Sequence, residues 1–295
     1  MTKLYPGNLV LSLSSGIMYH RLVDRITALN DVPREPLVPR RLGKNMCVPF
    51  GKILRGKVVP NTVTKTLHTD KVYEPDLNSF TIEPFPYYSP LKSQIETIKS
   101  FDRPVILVDD LVHTANRLQV LVPQLREDGI PIKKVVVGVL SGYGRDLMQC
   151  LKVPVESIYS MPNLRQWFVE STLYPFIGGD TVRREEMKVA GLQPSINMIL
   201  PYATPRLSGC SREALVEFSA CCIEDSRDLF QVLEAEYRKM YAKNLTLSRL
   251  SEAVILPLCP DKGSCMEYDE NLAASVYLEN DLETLWRMKE FLIKG

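Results

Sequence analysis

The stretch Val105-Ile-Leu-Val-Asp-Asp-Leu-Val-His-Thr-Ala-Asn-Arg117 constrains the fold more than any other part of the chain. Four consecutive apolar residues read as a strand buried on both faces, the kind found in parallel sheets. A helix is predicted from Asn116 to Asp128, stopping at Gly129, and Lys134 to Leu140 reads as a second buried strand. Strand, helix and strand in that order make a parallel crossover. The expected fold class is therefore α/β, with a central parallel sheet flanked by helices.

The neighbouring segments extend that pattern. Leu9 to Leu13 is a candidate strand, followed by Ser14-Ser15-Gly16 and a helix over Ile17 to Leu29. Met46 to Leu54 reads as another strand, Leu91 to Phe101 as a helix, and Val155–Tyr159 and Trp167–Ser171 as further strands. Asn61 to Pro90 is rich in Pro, Thr, Ser and Tyr and reads as a mobile hairpin plus loop, a length that often marks a functional lid. The last third has helical spacing over Arg212–Ile223, Ser226–Lys243 and Asn271–Leu292. The expected division is an α/β domain over residues 1–195 and a helical extension over 196–295.

The chain's 36 basic and 35 acidic residues leave a net charge of +1, which argues against a dedicated nucleic-acid binder. Its apolar runs fall far short of the roughly 18 residues a membrane span needs. Seven irregularly spaced cysteines in a long chain do not suggest a secreted disulfide scaffold, so a cytoplasmic location is expected. The balanced total hides an asymmetry. Pro33 to Lys71 carries nine basic residues against two acids, whereas Glu213 to the end carries sixteen acids against nine bases. A basic region of that kind suits an anionic small molecule.

The chemistry concentrates where the first buried strand ends. Asp109 and Asp110 are delivered to its C-terminal end, where open α/β sheets bind ligands. Small and polar residues then turn the chain into a helix, whose first amides and positive dipole end suit a phosphate. Two acids beside a phosphate-binding turn call for something cationic or rich in hydroxyls between them. A sugar phosphate carrying magnesium meets both demands.

This stretch resembles the phosphoribosyl pyrophosphate (PRPP) motif of type I phosphoribosyltransferases. The resemblance implies their central sheet with a mobile hood, beside which the spacing of the last third sets a helical C-terminal extension. It implies that Asp109 and Asp110 contact the ribose hydroxyls, assisted by Mg2+, and that His113, Thr114, Ala115, Asn116 and Arg117 wrap the 5′-phosphate. Ala115 stands where the family has glycine and Arg117 where it has threonine or serine. Alanine can turn there if φ stays negative, and arginine can hold phosphate by charge.

Over roughly residues 5 to 185 the resemblance also gives Ser14, Ser15 and Gly16 the place of the pyrophosphate loop after the first strand. Gly56–Tyr73 takes the place of the flexible catalytic loop, with Arg55, Lys57, Lys65, His68 and Lys71 around it. Pro154–Asp180, with Tyr159, Met161, Trp167 and Phe168, takes that of the base-binding segment. His113 occupies a position where hypoxanthine-guanine members hold an aspartate proposed to move a proton, and imidazole suits that work near neutrality.

The resemblance implies transfer of phosphoribosyl to a nitrogenous base, with PRPP or a ribose-5-phosphate nucleotide as partner. A non-catalytic PRPP or nucleotide sensor is the main alternative. A third is one part of a larger nucleotide-metabolising protein, since the chain is also similar to C-terminal regions of large bacterial cytidylyltransferase-related proteins. No nucleic-acid or membrane partner is expected, and a homo-oligomer is left open. Cys259 and Cys265 flank a turn but lack a second ligand pair for zinc, and Cys221 and Cys222 read as helix packing.

Overall fold

The computed structural model describes residues 2, 4–85, 88–183, 193–204, 209–250, 255–256 and 269–294. The Cys259–Cys265 pair lies outside the described residues. The chain forms two compact units, residues 11–70 with 82–167, and residues 1–10, 71–81 and 168–295.

The first unit is built on a five-stranded parallel sheet. Its strands are β1 (Met46–Pro49), β2 (Val63–Thr64), β5 (Val105–Val112), β6 (Ile132–Ser141) and β7 (Val155–Met161), ordered β2-β1-β5-β6-β7. Four helices flank it: α1 (Ser15–Leu29), α2 (Leu91–Lys99), α3 (Asn116–Glu127) and α4 (Gly142–Cys150). One face packs Met46, Leu107 and Val137 against Ile95, Leu121 and Met148 of α2, α3 and α4. The other packs Ile106, Val108 and Val136 against Met18, Leu22 and Ile26 of α1. The expected crossover is β5-α3-β6, and its strands pair in parallel from Ile106↔Lys134 to Val112↔Leu140.

Strand side chains normally alternate between faces. Here the alternation slips midway along β5, β6 and β7. Val105 and Leu107 share a face with Val112, and Val108 shares the other with Leu111. In β6, Val135 and Val137 share a face with Leu140, and Val136 shares the other with Val139. In β7, Ile158 and Tyr159 lie on one face although they are adjacent. The slips fall on one rung, and Asp109-Asp110 occupies the β5 slip.

Several local expectations are corrected. Leu9–Leu13 forms no strand, and Leu9 and Leu11 stand in solvent. The first strand of the sheet is β1, which ends at Pro49 because Phe50 to Gly56 turns away. Ser14-Ser15-Gly16 caps and opens α1, with the Ser14 hydroxyl accepting the Ile17 amide. Trp167–Ser171 is not a strand; the chain runs irregularly into a 3-10 turn over Glu170–Leu173. Asn61–Pro90 contains β2, β3 (Thr69–Tyr73) and β4 (Phe80–Pro84). Within it, the Lys65 and Leu67 amides donate to Cys47 and Pro49 carbonyls, and Val59, Leu67 and Thr69 are fully buried. Val63 to Leu67 are therefore bonded alongside β1.

The second unit holds a mixed sheet and a helical layer. Its strands, ordered β10-β9-β8-β3-β4, include β8 (Asp180–Val182), β9 (Gln193–Ile196) and β10 (Ile255–Leu256), and the chain passes between units within β3 and β4. The two helices expected over 212–243 are one, α5 (Arg212–Tyr241), because Glu224 and Asp225 break neither period nor bonding. It packs with the short α6 (Leu247–Leu250) and with α7 (Ala274–Lys294) around Phe176, Leu200, Val216, Ile223, Leu278 and Leu285. Among the described residues, no helix is long and apolar enough to cross a membrane.

Candidate functional site

The order of the central sheet reverses between β1 and β5. From β1 the chain steps outward to β2, and from β5 it steps the other way to β6 and β7. Beyond the C-terminal ends of such a strand pair lies the crevice where open α/β sheets take ligands. β1 contributes Phe50-Gly51-Lys52 to it, and β5 contributes Asp109-Asp110.

The acids are held by backbone. The Lys52 amide donates to Asp110 Oδ2 at 2.6 Å and the Ile53 amide to Asp110 Oδ1 at 3.0 Å. The Asp110 amide donates to Asp109 Oδ1 at 2.8 Å. Gly51 is required by this approach, since a Cβ there would lie within 3 Å of Asp110 and Asp109 atoms. The loop against the acids is therefore Phe50–Arg55, after β1, and not Ser14–Gly16. Residue type alone gives no sign of it; its position after the first strand of the sheet was the available signal. Gly138 makes room on the next strand: a Cβ there would meet the Asp110 carbonyl and the Met18 sulfur.

Arg117 reaches back from α3 into the crevice. Its guanidinium lies 4.0 Å from Asp109 and 3.9 Å from Asp70, and donates to the Phe50 carbonyl at 3.2 Å. Burial raises the Asp109 carboxyl to about 7; Arg117 opposes the shift and Asp110 adds to it. Arg55 lies over the Phe85 ring and donates to the Thr69 carbonyl, while its buried Nε has no hydrogen-bond partner among the described residues. Burial lowers the Arg55 pKa, and the Arg117 charge adds to that, against Asp70 and Asp110. His68 stacks on Tyr88, its pKa lowered by burial and then by Arg55 and Lys65.

The turn into α3 differs from expectation at Ala115, which adopts φ +51° and ψ 22°, the left-handed conformation. The condition of a negative φ is not met, so alanine here carries the strain that glycine would avoid. The turn then opens α3, whose first amides have no intrahelical acceptor. Asn116 and Gln119 donate to Thr114, and His113 Nδ1 lies 2.8 Å from Ser141 Oγ. Ser141 caps α4 by accepting the Gly144 amide, so the imidazole is fixed to the end of β6.

The site thus gathers Asp109, Asp110, His113, Thr114, Ala115, Asn116 and Arg117, which are contiguous in sequence. It adds Gly51, Lys52, Arg55 and Asp70, which sequence reasoning either missed or assigned elsewhere. Lys65 follows β2, bonded through its amide to β1, and Trp167 packs at the edge of the α1-side core.

Fold and site together define an α/β protein with a carboxylate-bearing crevice at the switch point of a parallel sheet. In structure the chain is similar to a purine phosphoribosyltransferase from Pyrococcus horikoshii Ot3, at 14% identity and a TM-score of 0.31, over 54% of this chain and 91% of that one. It is also similar to an adenine phosphoribosyltransferase from Thermoanaerobacter pseudethanolicus, at 9% identity and a TM-score of 0.29, over 54% of this chain and 92% of that one. No protein-family model and no curated protein matches the sequence.

Proposed function

We propose that this protein binds PRPP or a ribose-5-phosphate nucleotide in the crevice between β1 and β5, and transfers phosphoribosyl to a nitrogenous base. The observation that carries this reading is the Asp109-Asp110 pair at the switch point, followed directly by a turn and the first amides of α3. In this reading the carboxylates accept from the ribose hydroxyls. The 5′-phosphate lies on the amides of Thr114 to Arg117, favoured by the dipole of α3. The charge of the Arg55 guanidinium would favour a further anionic oxygen in the crevice.

The reaction breaks the bond from the anomeric carbon to pyrophosphate and forms one from that carbon to a base nitrogen. Arg55 and Arg117 would offset charge building on the departing pyrophosphate. His113, held by Ser141, would accept the proton that the attacking nitrogen loses.

The donor set fits Mg2+ carried by the ligand. Among the described residues no cluster of three or more His, Cys, Asp or Glu is placed to hold a metal. Magnesium commonly takes one or two carboxylates together with phosphate oxygens and water, which Asp109 and Asp110 could complete. Bound there, it would supply charge neutralisation of the phosphates.

A second reading is a PRPP or nucleotide sensor without turnover. What favours it is that both acids already have internal partners, Asp110 in two backbone amides and Asp109 in Arg117. Calorimetry with PRPP and Mg2+ tests the shared claim, comparing wild type with Asp109→Asn/Asp110→Asn. Equal affinity in both proteins, each shown folded, would sink the assignment. Product formation from PRPP with a panel of bases then separates enzyme from sensor.

A further inference from the structure

We propose that Arg117 is the built-in cation of the β1–β5 crevice, holding the pyrophosphate end of PRPP so that the ligand binds there without divalent metal. The inference rests on the PRPP reading of the site and adds which group meets the ligand's charge. A phosphate brought beside Asp109, Asp110 and Asp70 is repelled unless a positive charge lies between. A divalent ion carried by the ligand can supply that charge. So can a guanidinium already in place.

Arg117 is the second residue of α3, and its side chain reaches back to the end of β1, where Nη1 donates to the Phe50 carbonyl at 3.2 Å. Its head therefore lies away from the first amides of α3, within reach of other phosphates on the same ligand. Asp109 at 4.0 Å and Asp70 at 3.9 Å balance its charge but are too distant to accept hydrogen bonds. A guanidinium has five N–H donors. Among the described residues, Phe50 is the one acceptor this head has. Mostly buried with donors to spare, it would recover free energy by bonding an anion. The acids are differently placed. Both Asp110 oxygens accept backbone amides, and Asp109 Oδ1 accepts another, so a metal bridging them to phosphate would have to share oxygens already engaged. Arg55, the other guanidinium here, is turned to the Thr69 carbonyl and the Phe85 ring. Arginine also keeps its charge at any working pH, and its planar fork can take two phosphate oxygens at once.

The test is calorimetry of the full chain with PRPP, once in EDTA and once in Mg2+, for wild type and Arg117→Gln. Wild-type affinity should differ by less than about threefold between the two conditions. Arg117→Gln should lose about 10- to 100-fold in EDTA, as expected for lost charge-assisted hydrogen bonds, and Mg2+ should restore part of that by supplying the missing charge. Ribose 5-phosphate, which has no pyrophosphate, should bind both proteins within about twofold of each other. Arg117→Lys keeps the charge without the fork and should fall between, so it carries the test should the glutamine variant fail to fold. A wild type that binds PRPP only with Mg2+ overturns this inference and leaves the PRPP site standing. So does a folded Arg117→Gln that binds in EDTA as wild type does. No PRPP binding in either condition overturns site and inference together.

Discussion

Gly51 and Asp110 approach so closely that a Cβ on Gly51 would stand 2.6 Å from the Asp110 carboxylate and 2.7 Å from its amide nitrogen. One of those atoms is backbone inside a paired strand, so it cannot move aside cheaply. Gly51→Ala should therefore cost about 1–3 kcal/mol in chemical denaturation, the range for forced overpacking. It should also lose PRPP affinity, because the Lys52 and Ile53 amides would be pushed off Asp110. A variant with wild-type stability and affinity would mean the loop is freer than its contacts suggest.

Asp109 makes stability depend on pH in an unusual direction. Burial holds its folded pKa at about 7, against an unfolded value near 3.9. Between those values the folded chain keeps a proton that the unfolded chain has released. Stability should then fall as pH rises from about 4 to about 7 and level off above, by roughly 1–3 kcal/mol in all. Asp109→Asn should flatten that part of the profile. A wild-type curve rising through the same window, unaltered in the variant, would show that Asp109 ionises normally.

Ala115 offers a balance of small terms. Relieving its left-handed conformation with glycine gains roughly 1–2 kcal/mol. Losing a mostly buried methyl costs about 0.8 kcal/mol, and the freer unfolded chain costs another 0.4–1 kcal/mol. Ala115→Gly should therefore be nearly neutral, whereas Ala115→Val should destabilise by about 2 kcal/mol or more, β-branching being poorly tolerated at positive φ. Urea midpoints of the two variants check both numbers.

His113 distinguishes enzyme from sensor. As proton acceptor, its replacement by alanine should lower turnover by roughly 10² to 10⁴ with PRPP affinity nearly intact. Ser141→Ala should lower turnover less, by loosening the imidazole. Unchanged turnover in His113→Ala would leave the residue only a part of the loop.

What could be read from sequence was what is local. The β5-α3-β6 crossover and the Asp109–Arg117 turn are contiguous, and their apolar runs and helical period lie within about 35 residues. α1 was legible from its period, but the segment before it was not. Leu9–Leu13 has the composition of a strand, yet a strand exists only where a neighbour bonds it, and sequence does not show neighbours. Gly51 was hidden for a related reason. Its neighbour Asp110 lies 58 residues beyond Lys52 and 57 beyond Ile53 along the chain, and nothing near Gly51 announces a carboxylate. Ala115 misled because alanine seldom takes positive φ; the turn's closure dictated it against preference.

The slip shared by β5, β6 and β7 has a consequence for how this site relates to its scaffold. Dropping a single residue from each strand at that rung would restore plain alternation on both sides, with every packed side chain still turned toward its own core. Each strand is thus one residue longer than the hydrophobic layers require, and in β5 the surplus falls within the acid pair. The acid pair therefore sits at a rung that neither hydrophobic layer needs for its alternation.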